Sequence, residues 1–438
     1  MIHADRHFEA DHCKNIKNIG GMKTMAEKQL YDLYSELKAR KEEKRAYLEE
    51  VDPTVRQKRG FNNMSFIYSD EWKNKKYEYA IHTATRVAMS NIASVVNQIG
   101  WEKYCEGMET FQFPSVQRRA LAMKEKYDLH DDTMMDVKMH TLTWSTGCGF
   151  TGGAVQYYDV DRVEGMAYWC PQVAMLEEMG LECGNLGIWC DSFDGCIMTA
   201  CKPNLSYTHV YCLADGDKVC RHIVEEVKEP FMKNPQFTRA RKPGEPSLYE
   251  TIMGNKAEKK TRFAPEPDCY DLPNWRTLPW LTAEYNNEQI EKRGCETKWH
   301  IATDALILGG HLLGWQKFIN VVNDEHTAGY TRAANQRRLD INLLTKDLRQ
   351  AANLVFFGMA GLPYEHRLTK YTPKQILGYA EKCPIAEAAA EMGVDAADVS
   401  LWCDYYRNIE VHSVNPEYNI THTHCIAAGD PYCRFIIE

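Results

Sequence analysis

Apolar residues recur at helical spacing from Tyr79 to Tyr104, among them Ala80, Ala84, Val87, Ile92 and Val96, and the stretch from His300 to Val322 does the same. Both stretches predict amphipathic helices. Asp304, His311 and Lys317 interrupt the most apolar run, so it reads as a core helix rather than a membrane span. The segments Pro171 to Gly180 and Pro384 to Gly393 each predict a short helix, with Pro in the first turn and Gly just past the end. Leu186 to Asp191 and Leu205 to Ala214 predict strands, and Lys218 to Glu225 makes a hairpin with the latter across Asp215-Gly216-Asp217. Helices followed by an antiparallel sheet define an α+β domain.

That pattern occurs twice. Adding 213 to any number from Gly165 to Glu225 gives a partner between Gly378 and Glu438, with 21 identities in 61 ungapped positions, too many for chance. Trp189-Cys190-Asp191 coincides with Trp402-Cys403-Asp404, Thr208-His209 with Thr421-His422, and Gly216-Asp217 with Gly429-Asp430. Upstream, Gly100-Trp101 and Gly314-Trp315 match at an offset of 214. The expected architecture is two tandem copies of one helices-plus-antiparallel-sheet domain, packed as a pseudo-twofold pair because duplicated domains descend from symmetric dimers. The first repeat is placed at 66–228 and the second at 281–438. Residues 1–65 form an N-terminal extension whose charged helix, Glu27 to Glu50, is expected to present a solvated face, with partner binding as the alternative. Residues 229–280, rich in proline, read as a mostly irregular connector draped over the first copy.

A formal charge of -9 disfavours a nucleic-acid partner, because phosphate recognition needs clustered Lys and Arg. The start, Met1-Ile2-His3-Ala4-Asp5-Arg6, lacks the pattern of a secretory signal, so a cytoplasmic location is expected, with no membrane association. Sixteen cysteines in such a chain point to thiols or metal ligands rather than to a disulfide framework. A small-molecule substrate or ligand is the expected partner, and a homo-oligomer is left open.

Four cysteines of the second copy, Cys383, Cys403, Cys425 and Cys433, coincide with Cys170, Cys190, Cys212 and Cys220, whereas Cys183, Cys196 and Cys201 do not recur. Three readings of the recurrent set stand side by side. The thiols are small buried hydrophobes; or Cys190, Cys212 and Cys220 with His209, and Cys403, Cys425 and Cys433 with His422, hold a metal ion or iron–sulfur cluster; or they are nucleophilic or redox thiols tuned by a nearby imidazole. A three-residue turn would set Cys212 opposite Cys220 and Cys425 opposite Cys433. Strand alternation places His209 and His422 on the face away from Cys212 and Cys425, and His424 on the face of His422.

Asp191 and Asp404, read as ending a strand, are the carboxylates best suited to general base work, with a capping role as the alternative. Asp217 and Asp430 are expected to serve the hairpin turn. Arg221 and Arg434 are candidates for holding a substrate carboxylate, or else pair Glu225 and Glu438, and Trp189 and Trp402 are candidate substrate contacts. A further polar group, His130-Asp131-Asp132 with Asp136 and His140, reads as a solvated helix.

The hairpins Cys212-Leu-Ala-Asp-Gly-Asp-Lys-Val-Cys220-Arg and Cys425-Ile-Ala-Ala-Gly-Asp-Pro-Tyr-Cys433-Arg resemble the closing motif of the L-2-amino-thiazoline-4-carboxylate hydrolase family, and that of the related 4-vinyl reductase small-ligand domains. The resemblance implies an α+β domain that opens a small heterocyclic or amidine-like C–N bond. Water would be activated by Asp191, Asp404 or an imidazole, and His422, His424 or Arg434 would stabilise the developing charge in a pocket between helices and sheet. The second resemblance implies a small-ligand or cofactor-binding protein instead, and the recurrent thiols leave a metal-dependent redox enzyme as a third reading.

Overall fold

The charged segment near the start folds as α1 (Leu33–Val51), whose first turn is capped by the Asp32 carboxylate accepting from the Ser35 amide. Next comes α2 (Asp70–Gly107), bent at Gly100, and a π-helical turn (Met108–Gln112) carries the chain into α3 (Phe113–Lys126). Strands β1 (Gly153–Tyr158) and β2 (Arg162–Ala167), helices α4 (Pro171–Met179) and α5 (Gly187–Cys201), and strands β3 (Leu205–Tyr211) and β4 (Cys220–Glu226) follow. Helix α6 (Leu248–Arg262) starts with a Ser247–Glu250 capping box. Then come α7 (Asn287–Leu313), α8 (Trp315–Asp340) and α9 (Leu348–Phe357), strands β5 (His366–Tyr371) and β6 (Ile376–Ala380), helices α10 (Pro384–Met392) and α11 (Val399–Val414), and strands β7 (Ile420–His424) and β8 (Cys433–Ile437). The computed structural model describes residues 31–53, 60, 70–126, 153–158, 162–167, 169–227, 244–264, 287–357 and 366–438. Gly100 (φ 81°) and Gly314 (φ 76°) hold a backbone conformation that a side chain would strain, so the paired Gly-Trp marks a bend built into both copies. That bend splits the expected His300 to Val322 helix into α7 and α8.

Each copy closes on a four-stranded antiparallel sheet, in the orders β1-β2-β4-β3 and β5-β6-β8-β7. Gly165 pairs with His222 as Gly378 pairs with Phe435, and Ala167 pairs with Cys220 as Ala380 pairs with Cys433. The irregularities coincide too: β3 slips against β4 between His209 and Tyr211, and β7 against β8 between His422 and His424. Gly165 and Gly378 make room for the ring across the ladder, since a Cβ at either would collide with His222 or Phe435. Two α+β folds of one topology therefore stand in tandem.

Contacts between the copies occur twice, as a twofold arrangement requires. Arg332 Nη2 donates to the Glu178 carbonyl at 2.7 Å, and Arg118 Nη2 donates to the Glu391 carbonyl at 3.0 Å. Helices α2 and α7 pack together, α8 reaches α4, and α3 reaches α10. One apolar core runs through both copies, joining Val87 and Ile92 to Leu306, Phe318 and Trp402.

Helices α1 and α6 obey the same symmetry, but crosswise. Helix α6, which precedes the second copy, packs on β3 of the first, and α1, which precedes the first copy, packs on β7 of the second. Lys44 pairs with Glu438 and Arg45 with Asp430, just as Lys259 pairs with Glu225 and Lys260 with Asp217. Leu33, Tyr34 and Leu37 on α1 match Leu248, Tyr249 and Ile252 on α6 at an offset of 215. The repeated unit thus reaches back beyond residues 66 and 281, and each copy lends its first helix to the other's sheet.

Three expectations change. Leu186 to Asp191, read as a strand, opens α5; almost every residue from Ile188 to Ala200 is buried, and an apolar run without a polar stripe carries no period that separates helix from strand. The charged helix buries Leu37 and Leu48 instead of presenting only a solvated face. The connector contains α6 and is not merely irregular. The group from His130 to His140 lies outside the described residues, among which no helix is long and apolar enough to cross a membrane.

Candidate functional site

Asp404 on α11 is wholly buried and faces β7. Its Oδ1 accepts from the His422 amide and lies 2.7 Å from His422 Nδ1; Asp191 on α5 holds His209 the same way, with Oδ1 2.6 Å from the amide nitrogen and 2.7 Å from Nδ1. A carboxylate at Nδ1 fixes the tautomer with the proton there and leaves Nε2 as the basic ring nitrogen. Around His209, burial opposes charging, but the Asp191 hydrogen bond and charge outweigh it and raise the imidazole's pKa. The second oxygen, Oδ2, of each aspartate is buried without a protein partner.

The bulge in each hairpin re-sorts the faces. His422 pairs with Phe435 but His424 pairs with Arg434, the adjacent residue, so the two histidines lie on opposite faces, not on one. By the same slip Cys212 returns to the face of His209; the Cys220 hydrogen bond, and after it the His209 charge, lower the Cys212 pKa, so the expected separation of imidazole and thiol does not hold. Simple alternation failed because one extra residue inverts it and leaves no mark in composition.

Asp404, His422, Cys403 and Trp402 come together on the inner face. A cavity there is lined by His422, Trp402, Cys403, Cys433, Arg407 and Trp299, with apolar residues between them, and it leaves about 30 Å³ open to the centre of a water molecule, room for one or two waters. Trp402 stacks on Tyr406 with ring centroids 5.3 Å apart. The indole Nε1 atoms of Trp402 and Trp299 are buried without an acceptor. A buried donor left unpaired costs ~1–3 kcal/mol, and both tryptophans that carry one line the cavity. Arg407 donates to Glu410 at 2.7 Å, and Glu410 also pairs with Arg337, which reaches Thr83 at 2.9 Å, tying the cavity wall to the first copy.

His424 and Arg434 are on the outer face, under α1. Arg434 Nη2 donates to Asp52 Oδ2 at 2.9 Å and to its carbonyl at 2.8 Å, and His424 stacks on Tyr432. Arg221 donates to Glu164 at 2.6 Å and to the Phe263 carbonyl at 3.0 Å. Neither arginine lines the cavity, and neither pairs the expected Glu225 or Glu438. Asp217 and Asp430 accept from the Cys212 and Cys425 amides at 2.8 Å, the turn role expected of them. Trp189 stacks on Phe193 at 5.2 Å, the counterpart of the Trp402 pair.

In the first copy the equivalent space is occupied differently. Tyr207 stands where the second copy has Ile420, hydrogen-bonds Asp194, which replaces Arg407, and stacks on His222, which replaces Phe435, at 5.3 Å. A larger side chain, held by its own carboxylate, thus fills the position beside His209.

The recurrent thiols also gather, each as a thiol rather than in a disulfide. Cys212 and Cys220 lie one rung beyond Tyr211 and Arg221, with sulfurs 4.0 Å apart. The Leu213 amide donates to Cys220 Sγ and the Ile426 amide to Cys433 Sγ, each at 3.3 Å. Hydrogen bonding with Cys383 and Cys425, more than burial, holds Cys433 far above the usual thiol range, and the same contacts draw Cys425 down to about 6 and Cys383 below its ordinary value. Burial pushes Cys190 and Cys403 well up. Among the described residues no three His, Cys, Asp or Glu side chains are placed to hold a metal ion, and His209 is already committed to Asp191. The geometry therefore lends no support to Cys190, Cys212, Cys220, Cys403, Cys425 and Cys433 as metal or cluster ligands.

No protein-family model, no curated protein and no solved structure matches the chain. Sequence reasoning missed Trp299, whose counterpart at the 214 offset is Thr85, and Arg407, replaced by Asp194; a search for recurrence passes over residues that only one copy has.

Proposed function

We propose that the second copy is the catalytic half of a hydrolase acting on a small, polarised C–N bond, of the heterocyclic or amidine-like kind that the resemblance of the hairpin motifs implies. The observation that carries this reading is the Asp404–His422 pair beside a cavity that Trp402 and Trp299 also line, each with a buried indole N–H that has no acceptor. His422 Nε2 takes a proton from a water in the cavity, Asp404 steadies the imidazolium that forms, and the water oxygen adds to the electron-poor carbon as the C=N electron pair moves to nitrogen; the imidazolium gives its proton to that nitrogen, and the C–N bond then breaks as the added hydroxyl passes its proton through His422 to the departing amine and becomes a carbonyl. Trp402 and Trp299 donate to the heteroatom on which negative charge develops. A ring-sized substrate needs the wall to yield, since the space as it stands takes only water.

The test is release of product from 2-amino-thiazoline-4-carboxylate and a panel of cyclic amidines. Asp404→Asn is expected to lower kcat by ~10²-fold or more, because the amide favours the wrong tautomer, whereas Asp191→Asn stays within about threefold. Binding of these rings without turnover would instead mark a small-ligand-binding protein, and equal loss in both variants would refute the assignment to one copy.

A further inference from the structure

At the boundary between the copies, α2, α8 and the end of α4 enclose an open cleft of about 330 Å³, lined by Tyr79, Thr83, Arg86, Glu178, Arg337 and Asp340 among others. Tyr79 donates to Asp340 at 2.9 Å, Arg337 Nη2 donates to Thr83 at 2.9 Å one turn further along α2, and Arg86 Nη2 donates to Glu178 at 2.8 Å a turn beyond that. Charge is unevenly matched along this line. Arg337 and Arg407 share the single carboxylate of Glu410, so among the described residues this buried group holds one positive charge in excess. Such a charge is costly to bury unless an anion joins it. Asp340 lacks the opposite partner: Tyr79 and Gln336, both neutral, donate to it, and among the described residues no cation pairs with it. The Thr83 hydroxyl, 2% exposed, accepts from Arg337 and keeps its own proton to donate. The pseudo-symmetric position is matched differently. At the offset of 214, which also relates Arg332 to Arg118 and their equivalent contacts, Met123 stands for Arg337, Lys126 for Asp340 and Glu296 for His82, and Lys126 pairs with Glu296 at 3.4 Å. There the excess guanidinium is gone and the end charges satisfy each other.

We propose that the cleft between α2, α4 and α8 binds a small zwitterion whose carboxylate and ammonium stand several Å apart, as in an ω-amino acid. The carboxylate lies against Arg86, Arg337 and the Thr83 hydroxyl, and supplies the negative charge that the Arg337–Glu410–Arg407 group lacks. The ammonium lies against Asp340. A lone anion would face the carboxylates of Asp340 and Glu178, and a lone cation the guanidiniums of Arg86 and Arg337, so the cleft selects for both charges in one molecule. Tyr79 and Arg86, at the two ends, are two helical turns apart, ~10 Å along the axis, which favours a chain of about five methylenes over glycine. Because Glu410 holds both Arg337 and Arg407, the cleft and the inner cavity share one buried ion group.

The proposal uses neither His422 nor Asp404 and stands whether or not the hydrolytic reading does. Full-length protein is titrated calorimetrically with 6-aminohexanoate, glycine, hexanoate and hexylamine. The expected result is one site per chain for 6-aminohexanoate, with each of the other three at least about tenfold weaker. Asp340→Asn should weaken 6-aminohexanoate at least about tenfold without weakening hexanoate, whereas Glu296→Gln, at the pseudo-symmetric position, should leave both as in the parent. Hexanoate, hexylamine or glycine binding as tightly as 6-aminohexanoate, no saturable binding of 6-aminohexanoate below about 10 mM, or an Asp340→Asn protein that binds it as the parent does would each overturn the proposal. The four titrations of the parent protein decide the matter even if a variant does not fold.

Discussion

His326 on α8 illustrates what a single buried imidazole does to this molecule. Its Nε2 lies 2.6 Å from the Ser94 hydroxyl, a group also bound by Glu325; its ring meets Tyr330 edge-on at 5.5 Å, and its Nδ1 has no partner. Burial depresses its pKa to about 3. The unfolded chain, with a His pKa of ~6.5, therefore binds a proton that the folded chain refuses between those two values. The contribution is complete above about pH 6.5 and is lost as pH falls, at ~1.4 kcal/mol per unit for this one group. Melting temperatures should fall on acidification below pH ~6.5, and His326→Gln should reduce the slope of that limb. A slope identical to the parent's would show that His326 does not remain neutral in the fold.

At the scale of elements, the parts legible from sequence are those with local signatures. Helices α4 and α10 start on Pro171 and Pro384 and end at Gly180 and Gly393, both in the left-handed conformation, as their spacing predicts. The antiparallel pairing of β3 with β4 was legible too, but not the turn: in place of the expected Asp215-Gly216-Asp217 turn between longer strands, β3 ends at Tyr211, a 3₁₀ turn runs Leu213–Asp215 and β4 starts at Cys220, while the sulfurs of Cys212 and Cys220 still lie 4.0 Å apart. Helix α5 was not, because burial on all sides erased its period. The kinship of α1 and α6 was hidden although Leu33, Tyr34, Lys41, Glu43 and Lys44 recur as Leu248, Tyr249, Lys256, Glu258 and Lys259, because the match covers one short helix at an offset of 215, apart from the segments aligned at 213 and 214. Both helices dock through charge pairs over a small apolar contact, and Arg434 is the deepest of these, at 1% exposure. Arg434→Met strands the buried Asp52 carboxylate and is expected to cost about 3–5 kcal/mol. Arg221→Met should cost less, since Glu164 keeps Arg162 at 3.0 Å. Urea denaturation of the two variants checks this, and equal losses would mean that α1 does not depend on Arg434.

The whole molecule reads as a dimer written into one chain, with its opening helices exchanged between halves. Exchange of an identical element is a low-cost way to tie two protomers together, and here it places Lys41 and Lys256 of one half near Cys425 and Cys212 of the other. The candidate site also draws on both halves, through the Arg407–Glu410–Arg337–Thr83 chain that ends on α2. Divergence then worked on an already closed frame: Tyr207 and Asp194 filled one inner face, while Ile420 and Arg407 left a cavity at the other. What the site can do depends on that crossed assembly, and zero-length carbodiimide coupling of dilute, monomeric protein tests it most directly. The expected products join Lys44 to Glu438 and Lys259 to Glu225; products joining Lys44 to Glu225 and Lys259 to Glu438 would contradict it.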